Sequence, residues 1–289
     1  MPDIIDELSA VRIPAATRQP VRCPPVVANF PSEHLVIGCG VAIFHVASAR
    51  VVLCRHTRDR YWFLPKGRRD AGEETNRAAE REGFEESGYR NRLLPLPVHH
   101  RQPQNNAATT SPETTQPPPS LSSLFVTEPL YTQLVPVSPR TQYLLFWYAA
   151  ETLPPAVEAA MPPPGPGVPY VAAPPAPAAP SPLHPDAAAP GEEPTSLLAR
   201  VRAEPPDYQP RRWEGTGVDE EELLYESFLV PVQEAGRKLG GGVMAEVVRR
   251  GWEGVVERMA LERAVEEQRQ QRQVQGGGKE EGESGELHG

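Results

Sequence analysis

An α/β fold is predicted by three features of the chain. Two nearly continuous apolar runs, His34–His45 and Arg50–His56, read as strands buried on both faces. Two segments read as helices, one from near Thr75 to Gly88 and one over Val243–Gln270. Further β-rich runs fall between and after these, an interleaving that lets helices cover a sheet.

Taken in order, residues 1–33 hold several prolines and little periodicity, and read as an arm with one short strand. Arg50–His56 pairs with His34–His45 through a turn at Ala47–Ala49. Tyr61-Trp62-Phe63-Leu64 is a short aromatic strand ended by Pro65, which has no N–H to donate to a ladder. Gly67–Gly72 is a loop rich in glycine and charge. The first helix begins at Thr75 as N-cap and stops at Gly88, a residue type suited to the left-handed position past a helix end. Tyr89–Leu96, Leu124–Val137 and Gln142–Glu151 are the next strands, and the aromatic Tyr-Leu-Leu-Phe-Trp-Tyr of the last suits a central position. Tyr225–Val232 is the final strand. The second helix carries Val243, Val247, Val248, Val255, Met259 and Leu261, with Gly251 and Gly254 as candidate interruptions.

Composition sets the organisation. The chain has 289 residues, a net charge of −9 and 36 prolines. Eighteen of those prolines lie between residues 151 and 210, where aromatic residues are nearly absent. Such a segment buries too little apolar area to offset its ordering entropy. Disordered insertions are therefore predicted at about 102–123 and 152–212, within one domain spanning 34–270, with a disordered acidic tail at 271–289. The Pro-rich insertion would suit a partner of the SH3 or WW type.

Cys23, Cys39 and Cys54 lack metal-ligand spacing, and the latter two fall in apolar runs, so they read as small buried thiols. No stretch approaches a membrane span, the N-terminus does not read as a targeting peptide, and the acidic balance argues against nucleic acid as a partner. Cytoplasm or nucleus is the expected location. The adjacent His99 and His100 have no matching ligand spacing and read as loop. Gly240–Gly242 lacks the Gly-Lys-Ser/Thr ending of a phosphate loop and reads as a hinge. Tyr61, Trp62 and Tyr131 are base-stacking candidates by type, but aromatic residues in strands more often belong to a core.

Chemistry concentrates in residues 67–89. Glu82, Glu85 and Glu86 sit at i, i+3 and i+4, so a helix projects all three carboxylates from one face. A charge run of this kind by itself is usually a solvated face. Grouped hard oxygens also suit Mg²⁺ or Mn²⁺, and those ions suit a polyphosphate substrate. The residue types alone thus point to a metal-assisted phosphate-bond hydrolase.

Gly67, Glu73, Arg81, Glu82, Glu85, Glu86 and Gly88 also fall in the register of the Nudix box, and the chain resembles a Nudix hydrolase. Gly83 and Tyr89 depart from the box, each standing where an aliphatic residue is usual. The resemblance implies an α/β/α sandwich with a mixed sheet. It implies that Glu82, Glu85 and Glu86 hold Mg²⁺ or Mn²⁺ with the Gly67 carbonyl, and that Glu73 pairs with Arg81 to orient the helix. Glu82 and Glu85 are the general-base candidates inside the box, and Glu220-Glu221-Glu222 lies in a region ahead of the last strand that the family also uses. Leu64-Pro65-Lys66-Gly67 resembles enzymes acting on dinucleoside polyphosphates, and Lys66, Arg68 and Arg69 are candidate phosphate ligands. The implied reaction is hydrolysis of a diphosphate linkage in a nucleoside diphosphate derivative, with a dinucleoside polyphosphate first. A diphosphoinositol polyphosphate is the alternative, messenger-RNA cap a third. A binding module on the same fold is the alternative of another class.

Overall fold

The computed structural model describes residues 4–11, 26–103, 124–165, 170–178 and 193–280. Eight strands form one mixed sheet: β1 Leu35–His45, β2 Arg50–His56, β3 Trp62–Phe63, β4 Lys66–Arg68, β5 Asn91–Leu93, β6 Tyr131–Ser138, β7 Thr141–Thr152 and β8 Tyr225–Pro231. Its path runs β3-β2-β1-β7-β5, with β4 on β1, β6 on β7 and β8 on β2. β1 and β7 pair in parallel from Leu35 opposite Gln142 to Phe44 opposite Glu151, and the other named pairings are antiparallel.

The alternation of side chains along a strand divides the central residues between two cores. Cys39, Val41 and Ile43 of β1 face helix α2 (Thr75–Ser87) and pack with its Ala78 and Ala79. Ala42 and Phe44 pack on the other face with Val247, Val248, Trp252, Val255 and Met259 of the long C-terminal helix. Burial on both faces is why β1 lacks polar alternation. The central position predicted for β7 is observed, with Trp147 fully buried. A mixed sheet with helices on both faces is the predicted architecture.

Several expectations are corrected. The N-terminal arm carries a helix, α1 (Ile4–Ala10), and no strand among its described residues. Leu8 is buried against the core, and Trp252 Nε1 donates to the Val11 carbonyl. The loop expected from Gly67 begins as β4, because its backbone completes the β1 ladder at Gly38–Gly40. Thr75 does not cap α2; Glu74 is the N-cap residue, and the Thr75 hydroxyl hydrogen-bonds the Tyr148 hydroxyl at 2.8 Å.

The largest correction concerns the Pro-rich segment expected to be disordered over 152–212. Its described parts include α3 (Pro155–Ala160) and α4 (Leu197–Ala203), and α4 packs on α6 (Gly242–Glu280) and into the core. Leu197, Leu198 and Val201 are buried, each contributing roughly 2 kcal/mol of hydrophobic stabilisation. Arg200 NH2 donates to both Glu151 carboxylate oxygens at 3.0 Å, and Arg92 joins Glu151 to Glu193. Glu262 of α6 accepts from the Ser196 hydroxyl and the Leu198 N–H, each at 2.8 Å, which caps α4 from outside. Paired charges and a buried apolar stripe hold these described parts, although the composition of the segment argues otherwise.

α6 runs unbroken through Gly251 and Gly254 to Glu280, past the expected start of the tail at 271. A Cβ on Gly251 would lie 2.7 Å from Phe44 Cε2, so the glycine lets the helix lie close on the sheet. Gly240–Gly242 all have positive φ and turn the chain from α5 (Val232–Lys238) into α6. Cys39 and Cys54 are buried free thiols, as expected. Cys23, nearly all of the insertion expected at about 102–123, and residues 281–289 lie outside the described residues. Among the described residues no helix is long and apolar enough to cross a membrane.

Candidate functional site

β4 and α2 assemble the motif residues. Gly67 pairs with Cys39 of β1, and its Cα sits against the Glu82 carboxylate: an added Cβ would lie 1.9 Å from Glu82 Oε2. Only glycine leaves that carboxylate its place. One turn on, Glu86 Oε2 accepts the Lys66 N–H at 2.8 Å. Gly83, the departure from the aliphatic pattern, faces the sheet, where a Cβ would lie 2.8 Å from both Val41 Cγ1 and Asn91 Nδ2. Close helix–sheet approach therefore accounts for a residue that costs helix propensity. Gly88 closes the helix in the left-handed conformation, as predicted.

Arg81 is the hub of the charged cluster. Its Nε and NH2 donate to the two Glu73 carboxylate oxygens at 3.0 and 2.9 Å, a bidentate pair. Its NH1 donates to Glu82 Oε1 at 2.9 Å and to Glu85 Oε2 at 2.7 Å, and NH2 also reaches the Arg68 carbonyl. Burial pushes the Glu73 carboxyl up, but the Arg81 and Asp70 hydrogen bonds and nearby guanidinium charge outweigh it, and it lies below the usual range. The predicted Glu73–Arg81 pairing is present.

Oxygens of Glu82, Glu86 and Glu222 lie within 4.8 Å of one another, with Glu82 and Glu86 buried and Glu222 half-buried. Burial is the main influence on both buried groups. It pushes Glu86 up to about 8 against the Lys66 charge, and Glu82 up to about 7 against Arg81. A divalent cation fits this donor set, because hard oxygens close together and poorly hydrated lower their energy by sharing one. Glu85, expected in this nest, is not one of the three. Its carboxyl is also raised, chiefly by burial, while Arg81 opposes.

The sequence offered Glu220-Glu221-Glu222 as general-base candidates outside the box, without separating them. Glu222 reaches the nest, and its Oε2 accepts the Val218 N–H. Glu221 turns instead to His56, whose Nε2 lies 2.9 Å from Glu221 Oε1. His56 Nδ1 accepts the Asp59 N–H, which leaves the Nε2 hydrogen for Glu221. His56 is fully buried, stacks on Tyr61 and was missed by sequence reasoning. A lone histidine ending a strand carries no signal of that role.

Of the three candidate phosphate cations, Lys66 is half-buried with its Nζ 5.6 Å from the Phe63 ring centroid, and Arg68 is exposed. Arg69 NH1 donates to the Glu73 carbonyl at 2.6 Å and serves the loop. Trp62 lies under Lys238 Nζ at 4.4 Å and packs on Phe228. His99 and His100 are exposed.

A model of the NUDIX domain matches residues 37–164. Solved structures similar to the chain include a Nudix hydrolase from Nitrosomonas europaea, 15% identical with a TM-score of 0.26, over 41% of this chain and 59% of that one. A MutT Nudix hydrolase from Burkholderia pseudomallei is 20% identical with a TM-score of 0.25, over 42% of this chain and 69% of that one. A Nudix-family hydrolase from Clostridium perfringens is 22% identical with a TM-score of 0.26, over 42% and 70%. No curated protein matches the chain. The family match spans β1 to α3, and inside it every charged residue of the box stands in register, with Glu73, Glu82 and Glu85 gathered on Arg81 and Glu86 beside Glu82. On that match and that register, the chain carries a Nudix domain.

Proposed function

We propose that this protein hydrolyses a diphosphate linkage in a nucleoside diphosphate derivative, with Mg²⁺ or Mn²⁺ as cofactor and residues 34–270 acting as one domain. One observation carries the reading: carboxylate oxygens of Glu82, Glu86 and Glu222 converge within 4.8 Å although burial penalises the charge of Glu82 and Glu86. Such a cluster is costly unless a cation occupies it.

Glu82, Glu86 and Glu222 would hold the ion, with Gly67 leaving room for Glu82. A divalent ion bound there supplies charge neutralisation on the diphosphate and a more acidic water. Arg81 fixes Glu82 and Glu85 relative to each other through one guanidinium nitrogen, and Glu73 fixes Arg81. Glu85, outside the three-carboxylate nest and raised by burial, is suited to take up a proton beside it. Lys66 and Arg68 are the cations for the remaining substrate phosphates. With Arg69 engaged on the Glu73 carbonyl, fewer cations face the site than a crowded polyphosphate ring demands. This favours a dinucleoside polyphosphate over a diphosphoinositol polyphosphate.

The test is product release from a panel of nucleoside diphosphate derivatives and diphosphoinositol polyphosphates, with and without Mg²⁺, identified by mass. Wild type should turn over a nucleotide substrate only with the metal, and Glu86→Gln should lose turnover with the fold intact. Undiminished activity in Glu86→Gln sinks the assignment.

A further inference from the structure

Beside Glu85 lies a cavity of about 390 Å³. Its wall comes from the C-terminal turn of α2 (Phe84, Glu85), from Arg90, from the Pro-rich segment around Pro162–Gly165 and Tyr170, and from the stretch Trp213–Val218. Its size is that of a small-ligand site. A second cavity of about 280 Å³, between the end of β7 and α4, includes no residue of the 67–89 motif in its lining.

We propose that the cavity beside Glu85 binds the nucleoside, base and ribose, of the diphosphate substrate; this rests on the hydrolase reading above. Position is the first argument. Glu85 lines the cavity and shares the Arg81 NH1 nitrogen with Glu82 of the carboxylate nest. The Thr216 hydroxyl donates to the Glu85 carbonyl at 2.9 Å, and the same stretch of chain leads on to Glu222. Cavity and nest are thus linked through Arg81 and by one loop, the adjacency a subsite next to a cleaved bond requires.

Chemistry is the second argument. Phe84 and Tyr170 lie with ring centroids 6.0 Å apart, and Trp213 lies under the Arg211 guanidinium at 3.6 Å. Aromatic and proline walls suit a flat uncharged ring, and stacking on them tolerates different bases. The lining holds two acids and one cation, which excludes a second phosphate-rich group. That cation, Arg90, is 7% exposed; its NH2 donates to the Pro162 carbonyl, but its NH1 makes no hydrogen bond and stays 3.6 Å from Glu158 Oε1.

The experiment is calorimetric binding of ADP, UDP, GDP, CDP and inorganic pyrophosphate, each with Mg²⁺, to the full chain. Wild type is compared with Tyr170→Ala, which removes a wall, and Val171→Trp, which fills the cavity from a position 46% exposed and so leaves folding intact. Both variants should weaken at least one nucleoside diphosphate about tenfold while pyrophosphate changes less than twofold. Equal loss for nucleotide and pyrophosphate, or no loss in either variant, overturns the cavity assignment. Mn²⁺ binding followed by electron paramagnetic resonance in the same proteins separates the two readings. A wild type with no Mn²⁺ site but cavity-sensitive nucleotide binding overturns the carboxylate nest and keeps the cavity. Mn²⁺ bound with cavity-insensitive nucleotides does the reverse.

Discussion

Replacing Glu86 by Gln should stabilise the metal-free protein while destroying its affinity for metal. Burial lifts the Glu86 carboxyl from an ordinary value of 4.5 to about 8. Between those values the folded state holds a proton that the unfolded state has released. Stability of the metal-free protein therefore falls as pH rises through this window, the direction set by the proton difference. At about 1.4 kcal/mol per unit, the cost of the native carboxyl is about 3 kcal/mol at pH 7 and about 5 kcal/mol above pH 8. Gln keeps the oxygen that accepts the Lys66 N–H and has nothing to titrate. Thermal unfolding in EDTA should therefore show a melting point roughly 6–12 °C above wild type at pH 7. The gap should widen towards pH 9 and close near pH 5. Adding Mn²⁺ at pH 8 should reverse the order, because only the wild type gains binding energy. A Glu86→Gln protein that melts below wild type at pH 8 without metal, or an unchanged pH slope, refutes the argument.

Other perturbations address other contacts. Arg81→Lys cannot remake the bidentate pair with Glu73 while holding Glu82 and Glu85, and should lower kcat/KM about 100-fold, read by steady-state kinetics. Gly83→Ala should destabilise by about 1–3 kcal/mol in urea unfolding despite its better helix propensity, since its methyl meets Val41 and Asn91. His56→Phe should free Glu221 and the turn that carries Glu222, weakening Mn²⁺ at least tenfold in a direct titration while the thermal midpoint moves little. Leu197→Ala should cost about 2–4 kcal/mol in the same urea assay, an amount a disordered insertion would not show.

How far the sequence disclosed the molecule depended on whether a feature was local. β2 begins and ends where its apolar run does, and β1 begins one residue inside its own, because burial on both faces leaves a signal within a few residues. The helix bearing the box ends where its glycine says. It starts at Thr75 as expected, but Thr75 is not its cap, because its hydroxyl bonds Tyr148 of a strand over 70 residues away. The shared face of Glu82 and Glu86 came from spacing, and the Glu73–Arg81 pair from the resemblance to the Nudix box. Glu222 stands in the carboxylate cluster where Glu85 was expected, because the third oxygen depends on how the turn before β8 folds. The segment carrying α4 read as disordered because its apolar residues are few and its partners Glu151, Arg92 and Glu262 are distant in the chain. Composition counts residues and is blind to partners at that range.

The parallel pairing of β1 with β7 has a consequence for assembly. Two strands about a hundred residues apart form the spine of the sheet, and no hairpin can bring them together. A chain emerging from the ribosome would carry the whole glutamate motif long before β7 exists to flank β1, and Glu222 arrives later still. Local helix formation cannot create the carboxylate cluster in such a chain; it comes with closure of the longest loops, the slow events of folding. Truncated or nascent forms ending before residue 222 should accordingly have the motif but no ability to retain metal.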